Sequence, residues 1–172
     1  MFFKKSQQRQ IGQHLEEIFP RLWRYCLTLT GKRHLADDLA QAACLRALEK
    51  SDNFKSGTKF DRWLFTITYR LWIDELRKKA VRTGHGLFSI EDINLSDPSP
   101  NPESHLMINE TVNKILKLPE AQRIAVGLVY MEGYSYKEAS NILDIPIGTI
   151  MSRLSAARVK LSDKTTQKSK AV

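Results

Sequence analysis

Three prolines, Pro98, Pro100 and Pro102, fall within the segment from Asn94 to Pro102, and on either side of it the chain keeps an almost unbroken helical rhythm. Proline removes a backbone donor and pushes the residue before it out of the helical region, so this segment can be neither helix nor central strand. The chain is therefore expected to fold as two small helical domains joined by a linker. Before the prolines, Ile11, Leu15, Ile18, Leu22, Tyr25 and Leu29 recur at three- and four-residue steps until Gly31 stops the pattern, with Pro20 expected to kink this helix or start a new one. Further helices are predicted from about His34 to Glu49 and from about Phe60 to Val81, separated by the polar stretch Ser51 to Lys59. Beyond the linker, helices are predicted from Ile108 to Leu116 and from Pro119 to Met131, with Pro119 in the first helical position and Gly133 as the stop. No segment alternates with a period of two, so the fold class is all-α.

Charge narrows the function. Lys and Arg number 27 against 19 Asp and Glu, a formal charge of +8, which calls for a polyanionic partner. The excess sits in two blocks: residues 1 to 80 carry 16 basic and 9 acidic side chains, residues 81 to 118 carry 3 and 5, and residues 119 to 172 carry 8 and 5. A hydrophobic content of 42% is enough to build cores and excludes wholesale disorder. Cys26 and Cys44 both lie in helical apolar patterns and match neither a disulfide framework nor a zinc site. The first residues turn polar at Lys4, and nowhere do eighteen apolar residues run together, so a soluble cytoplasmic protein with no membrane insertion is expected.

The sharpest local signal lies near the carboxyl end. Ser135-Tyr136-Lys137-Glu138 has capping-box spacing and predicts a helix from Tyr136 to Leu143, with Ala139, Ile142 and Leu143 inward. The turn Asp144-Ile145-Pro146 follows, with Pro146 opening a helix whose buried stripe is Ile150, Leu154, Ala157 and Leu161. Its opposite face presents Gly148, Ser152, Ser155 and Ala156, flanked by Thr149, Arg153 and Lys160 on one side and by Met151 and Arg158 on the other. Small residues there would let the helix enter a DNA major groove while the flanking cations meet phosphates. An ordinary helical hairpin with a solvated polar face would show the same periodicity.

At these residues the chain resembles region four of bacterial RNA polymerase sigma factors of the extracytoplasmic-function (ECF) group. The resemblance runs through Leu118-Pro119-Glu120-Ala121-Gln122-Arg123, Glu132-Gly133-Tyr134-Ser135-Tyr136-Lys137-Glu138-Ala139 and Ile145-Pro146-Ile147-Gly148-Thr149-Ile150-Met151-Ser152-Arg153-Leu154, with Ala157-Arg158. The first block is similar to region two of the same family through Ala36-Asp37-Asp38-Leu39-Ala40-Gln41, Phe60-Asp61-Arg62-Trp63-Leu64-Phe65 and Ile73-Asp74-Glu75-Leu76-Arg77-Lys78. The resemblance implies region two over 10–83, a linker over 84–107, region four over 108–162 and a disordered basic tail over 163–172. It implies binding to core RNA polymerase through its clamp helices and flap, contact with double-stranded and melted promoter DNA, and an anti-sigma protein as regulator. For the minus-thirty-five element it points to Thr149, Met151, Ser152, Arg153, Ser155, Ala156 and Lys160.

In the predicted helix over 34–49, Leu35, Ala36, Leu39, Ala43 and Ala47 gather on one face, and Asp37, Asp38, Gln41, Leu45 and Leu48 on the other. Two leucines on a polar face invite a partner, which by resemblance is a coiled coil of the polymerase clamp. The two aspartates would equally suit the positive end of the helix dipole. The helix over 60–81 is apolar on two sides, Leu64, Ile67 and Leu71 on one, Phe65, Tyr69, Trp72 and Leu76 on the other, more than one core is expected to take. Trp63 and Phe65 are assigned to the core. Tyr69 and Trp72, with Asn53, Phe54, Lys55, Lys59, Arg70, Arg77 and Lys78, are assigned to the minus-ten element, because aromatic rings stack on unpaired bases and the family captures a flipped base in the loop before this helix. Three positions depart from the family. Arg70 stands where Asn is usual, Met151 where a basic residue is usual and Ala156 where Arg is frequent, so direct base readout is expected to be reduced and shape readout to carry more.

No catalytic constellation is visible. His14, His34, His85 and His105 are scattered, Gly84-His85-Gly86 lacks the third glycine of a dinucleotide fingerprint, and no phosphate-binding loop is present. Neither enzymatic activity nor a cofactor is expected. A stand-alone helix-turn-helix regulator would bind its operator without polymerase, and a helical adaptor would bind DNA weakly and without salt dependence.

Overall fold

The computed structural model describes residues 2–55, 57–82 and 110–166, and among them every element is helical. The chain divides into two compact units. The predicted linker over 84–107, with its three prolines, His85 and His105, lies outside the described residues.

The first unit holds α1 (Phe2–Thr30), α2 (Arg33–Glu49) and α3 (Phe60–Arg82). The six-residue apolar stripe read from the sequence of α1 is buried throughout. Pro20 lies inside α1 and does not end it, so of the two expected effects a new helix start is absent. The stop is Gly31, whose φ of 68° is open to glycine and whose amide bonds the Leu27 carbonyl at 2.8 Å. Lys32 then starts a helix that turns back on α1. Ala36, Ala40, Ala43 and Ala47 are all fully buried, a stripe of small side chains along the helix that packs against both α1 and α3.

Helix α3 corrects the sequence reading. Tyr69 and Trp72, assigned to melted DNA, are each only 5% exposed and belong to the core, as do Phe65 and Leu76. The reason is that α3 packs against both α1 and α2, so two of its faces are covered at once. Phe65 stacks on Tyr25 with ring centroids 4.5 Å apart, a contact worth about 1 kcal/mol beyond its area. Leu64 is fully buried, and Ile67 and Leu71 are half-buried.

The second unit contains α4 (Glu110–Leu116), α5 (Glu120–Val126), most of α6 (Tyr136–Leu143) and α7 (Ile147–Thr166). Pro119 proves to be the residue capping α5, with extended ψ, rather than its first helical residue. Behind it, the buried Arg123 guanidinium donates to the carbonyls of Leu116 and Leu118 at 3.5 and 3.4 Å, satisfying acceptors that the end of α4 leaves open. Burial lowers the Arg123 pKa, and the neighbouring Glu120 opposes that shift. Helix α5 runs into a π-helical turn over Gly127–Met131, where the Glu132 amide reaches back to the Gly127 carbonyl at 3.0 Å. Helix α7 continues to Thr166. The tail from 167 onward lies outside the described residues.

Candidate functional site

The carboxyl-terminal helix pair is built by local chemistry. Gly133, at a φ of 75°, reverses the chain after the π-helical turn. The capping box then closes in both directions: the Glu138 amide donates to Ser135 Oγ at 3.2 Å, and the Ser135 amide donates to Glu138 Oε2 at 2.9 Å. Ala139, Ile142 and Leu143 are buried, as expected. In the turn, Asp144 takes a φ of 54°, and Ser140 Oγ donates to the Ile145 carbonyl at 2.6 Å. The Pro146 carbonyl accepts the amide of Thr149 at 2.9 Å and starts α7.

With Ile150, Leu154 and Ala157 fully buried and Leu161 half-buried, the opposite face of α7 is fixed. Gly148, Met151, Ser152, Ser155 and Lys160 are exposed, whereas Thr149, Arg153 and Ala156 are half-buried. A side chain placed at Gly148 would meet open space, so this face is clear of the rest of the unit. Ser152 Oγ donates to the Thr149 carbonyl at 3.0 Å, which leaves its lone pairs outward. Val159, 56% exposed and seven residues after Ser152, also belongs to this face, a spacing the sequence displayed.

Arg158 has another task. Its Nε donates to the Tyr130 hydroxyl at 3.1 Å and its Nη2 to the Tyr136 hydroxyl at 3.2 Å. The hydrogen bond to Tyr130 is the main cause raising its pKa above the ordinary value. One guanidinium thus ties α7 to the π-helical turn and to the first residue of α6.

In the first unit, the α2 face assigned to polymerase is only partly as read. Asp37, Asp38, Gln41 and Leu45 are exposed, Leu45 by 63%, while Leu48 is half-buried. Asp37 Oδ1 accepts the indole N–H of Trp23 at 2.6 Å, and the Arg33 guanidinium lies 5.7 Å from the Trp23 ring centroid. Phe19, Pro20, Trp23 and Arg24 of α1 line a shallow cleft with Arg33, Asp37 and Gln41 of α2. Phe19 and Trp23 were not assigned from sequence; their signal is an apolar pair four residues apart, off the buried stripe.

The loop before α3 is anchored by aromatic rings. Phe54 lies 5.4 Å from Phe60 and 5.2 Å from Trp63, and His14 lies 5.1 Å from Phe60, all between centroids. Gln7 Nε2 donates to the Phe54 carbonyl at 3.0 Å. Phe54 is consequently half-buried, while Asn53, Lys55 and Lys59 are exposed beside it. Along α3, Arg70 is exposed, Arg77 pairs with Asp74 at 3.4 Å and Lys78 with Glu75 at 3.9 Å. Such exposed pairs are worth little and can give way to phosphate. Among the described residues no group of acidic, His or Cys side chains could hold a metal ion, and no helix is long and apolar enough to cross a membrane.

These two units match two family profiles, Sigma-70 region 2 over residues 15–82 and Sigma-70, region 4 over residues 109–161. The ECF RNA polymerase sigma factor EcfG of Rhodopseudomonas palustris is 37% identical over 145 residues, which is 83% of this chain and 78% of that one. The chain belongs to the ECF RNA polymerase sigma factors. The ECF factor SigW of Bacillus subtilis is 32% identical over 168 residues, 92% of this chain and 90% of the relative. The solved sigma factor RpoE of Bartonella quintana, in complex with the anti-sigma factor NepR, shares the fold with a TM-score of 0.70 at 30% identity, covering 90% of this chain and 96% of that one. As a sigma factor the chain binds core RNA polymerase and directs promoter-specific transcription initiation. The family consists of non-enzymatic regulators of transcription.

Proposed function

We propose that this sigma factor divides its work between its two units. The first unit, over 10–83, docks on the polymerase clamp through Asp37, Asp38, Gln41 and Leu45 and presents Asn53, Lys55, Lys59, Arg70, Arg77 and Lys78 to the minus-ten element. The second, over 108–162, lays α7 in the major groove of the minus-thirty-five element, with Ser152 and Ser155 at the groove floor and Lys160 on phosphate. Thr149 and Arg153, half-buried on that flank, and Ala156 beside them line the approach. The observation that carries this reading is the cleared, small-residue face of α7 in a helix pair locked at both ends by hydrogen bonds.

The loop before α3 supports a role in capturing an unpaired base, with Phe54 as its anchored wall rather than as a freely stacking ring. The protein performs no chemistry itself and acts in the cytoplasm, where its polymerase is. Because the Bartonella quintana sigma factor is held by an anti-sigma factor, the same kind of regulator is expected here. Run-off transcription from genomic fragments tests the reading: core polymerase should initiate at defined promoters only when this chain is added. A chain that binds an operator tightly without polymerase would instead be a stand-alone regulator.

A further inference from the structure

The outward positions of α7 pose a chemical puzzle. Strong base readout in a major groove uses bidentate donors, Arg or Lys to guanine and Asn or Gln to adenine. Positions 147, 148, 151, 152, 155 and 156 supply none of these. Arg158 is tethered to one flank, its Nε and Nη2 donating to the Tyr130 and Tyr136 hydroxyls, and Arg153 is half-buried. What α7 does expose at its start is apolar: Ile147 is 42% and Met151 48% exposed, one helical turn apart and therefore side by side. The amino-terminal residues of a recognition helix are those that reach the base edges. There the major groove offers one apolar group, the C5-methyl of thymine.

We propose that Ile147 and Met151 form an apolar reading edge that recognises thymine methyl groups in the minus-thirty-five element. The proposal rests on α7 being the helix that enters the major groove, and it adds the chemical class of the base feature read. Methionine suits this task, because its unbranched thioether adapts to the position of a methyl that it must cover. Ser152 complements it: with its proton committed to the Thr149 carbonyl, the hydroxyl is left to accept from the exocyclic amine of adenine or cytosine. The preference expected is thus for a thymine-containing element in place of a guanine read by a cation.

The test uses the full chain with core polymerase and a promoter library randomised across the minus-thirty-five region. Productive templates should be enriched in thymine on one strand or the other. One such template is then rebuilt with each thymine in turn replaced by deoxyuridine, which removes the methyl group and nothing else. At one or two positions transcription should fall roughly threefold to fivefold, the scale of one buried methyl. Met151→Ala should lose the same factor on the thymine template, lose nothing more on the deoxyuridine template, and keep its affinity for core polymerase. The proposal is overturned if deoxyuridine has no effect, if it costs Met151→Ala as much as the parent, or if Met151→Ala loses core affinity instead. A library that yields no productive template at all removes the major-groove reading itself and the proposal with it.

Discussion

Trp23 on α1 holds Asp37 on α2: the indole N–H donates to Oδ1 at 2.6 Å. The carboxylate is thereby oriented before any partner arrives, with the Arg33 guanidinium over the indole ring. Pre-orientation of this kind reduces what binding must spend on ordering a side chain. Trp23→Phe keeps the ring and removes only the donor. Its affinity for core polymerase should fall by about 1 kcal/mol, the ordering cost of one side chain that binding must then supply. Equal affinity of the two proteins, measured by fluorescence anisotropy, would remove Asp37 from the docking surface.

Asp38 and Leu45 test the same face without touching that bond. Asp38→Arg with Leu45→Ala should weaken core binding by at least about 2 kcal/mol, as expected for a central charge and an apolar anchor lost together. Both side chains are exposed, so circular dichroism of the double variant should match the parent. A folded double variant with parental affinity would place the interface elsewhere.

The face of α7 predicts steric sensitivity. Ser152→Leu and Ser155→Leu add bulk where the helix is to approach the groove floor, so each should abolish minus-thirty-five-dependent transcription while core affinity stays unchanged. Lys160→Ala should lower binding to all promoters alike and reduce the slope of log affinity against log salt by roughly one unit. Normal transcription by both serine variants would mean that this face does not enter DNA.

Gly133 turns the chain with a φ of 75° while leaving open space around its α-carbon. Gly133→Ala therefore introduces backbone strain without a clash and should cost about 1 kcal/mol of stability in urea unfolding. The Arg158 clamp nearby predicts a lowered melting temperature for Arg158→Ala, and smaller, separate losses for Tyr130→Phe and Tyr136→Phe.

Burial pushes the Cys26 thiol far above its ordinary 9.0, Cys44 adds to that shift, and burial also raises Cys44. Cys44, half-buried, should react with a thiol reagent in the native protein, and Cys26 only on unfolding. Because the folded-state value is raised, the unfolded chain loses its proton first. The thiols' contribution to stability is fully present below their ordinary value and is lost as the pH rises through it. The urea midpoint of the parent should drop between pH 8 and pH 10 by more than that of Cys26→Ala.

Much of this architecture is legible in the sequence because its signals are local. The capping box at Ser135 and Glu138, the stops at Gly31 and Gly133, and the stripe of α1 each depend on neighbours within a turn or two. Tyr69 and Trp72 were misassigned because their surroundings are not local: whether an aromatic on α3 meets water or α1 and α2 is decided by packing. Arg158 escaped for the same reason, its partners lying 28 and 22 residues away. Phe54 sits between these cases, since its loop was found and its anchoring by Gln7, 47 residues earlier, was not.

The seam of Ala36, Ala40, Ala43 and Ala47 uncouples two kinds of sequence change along one helix. On the buried side any enlargement would push α2 away from the helices packed on it, so that face can drift little. On the far side Asp38, Gln41 and Leu45 bear no weight in the fold, and they are at liberty to follow whatever surface the helix meets. A lineage could thus exchange one binding partner for another by rewriting alternate positions of α2, while the spacing that positions the rest of the unit stays inherited unchanged.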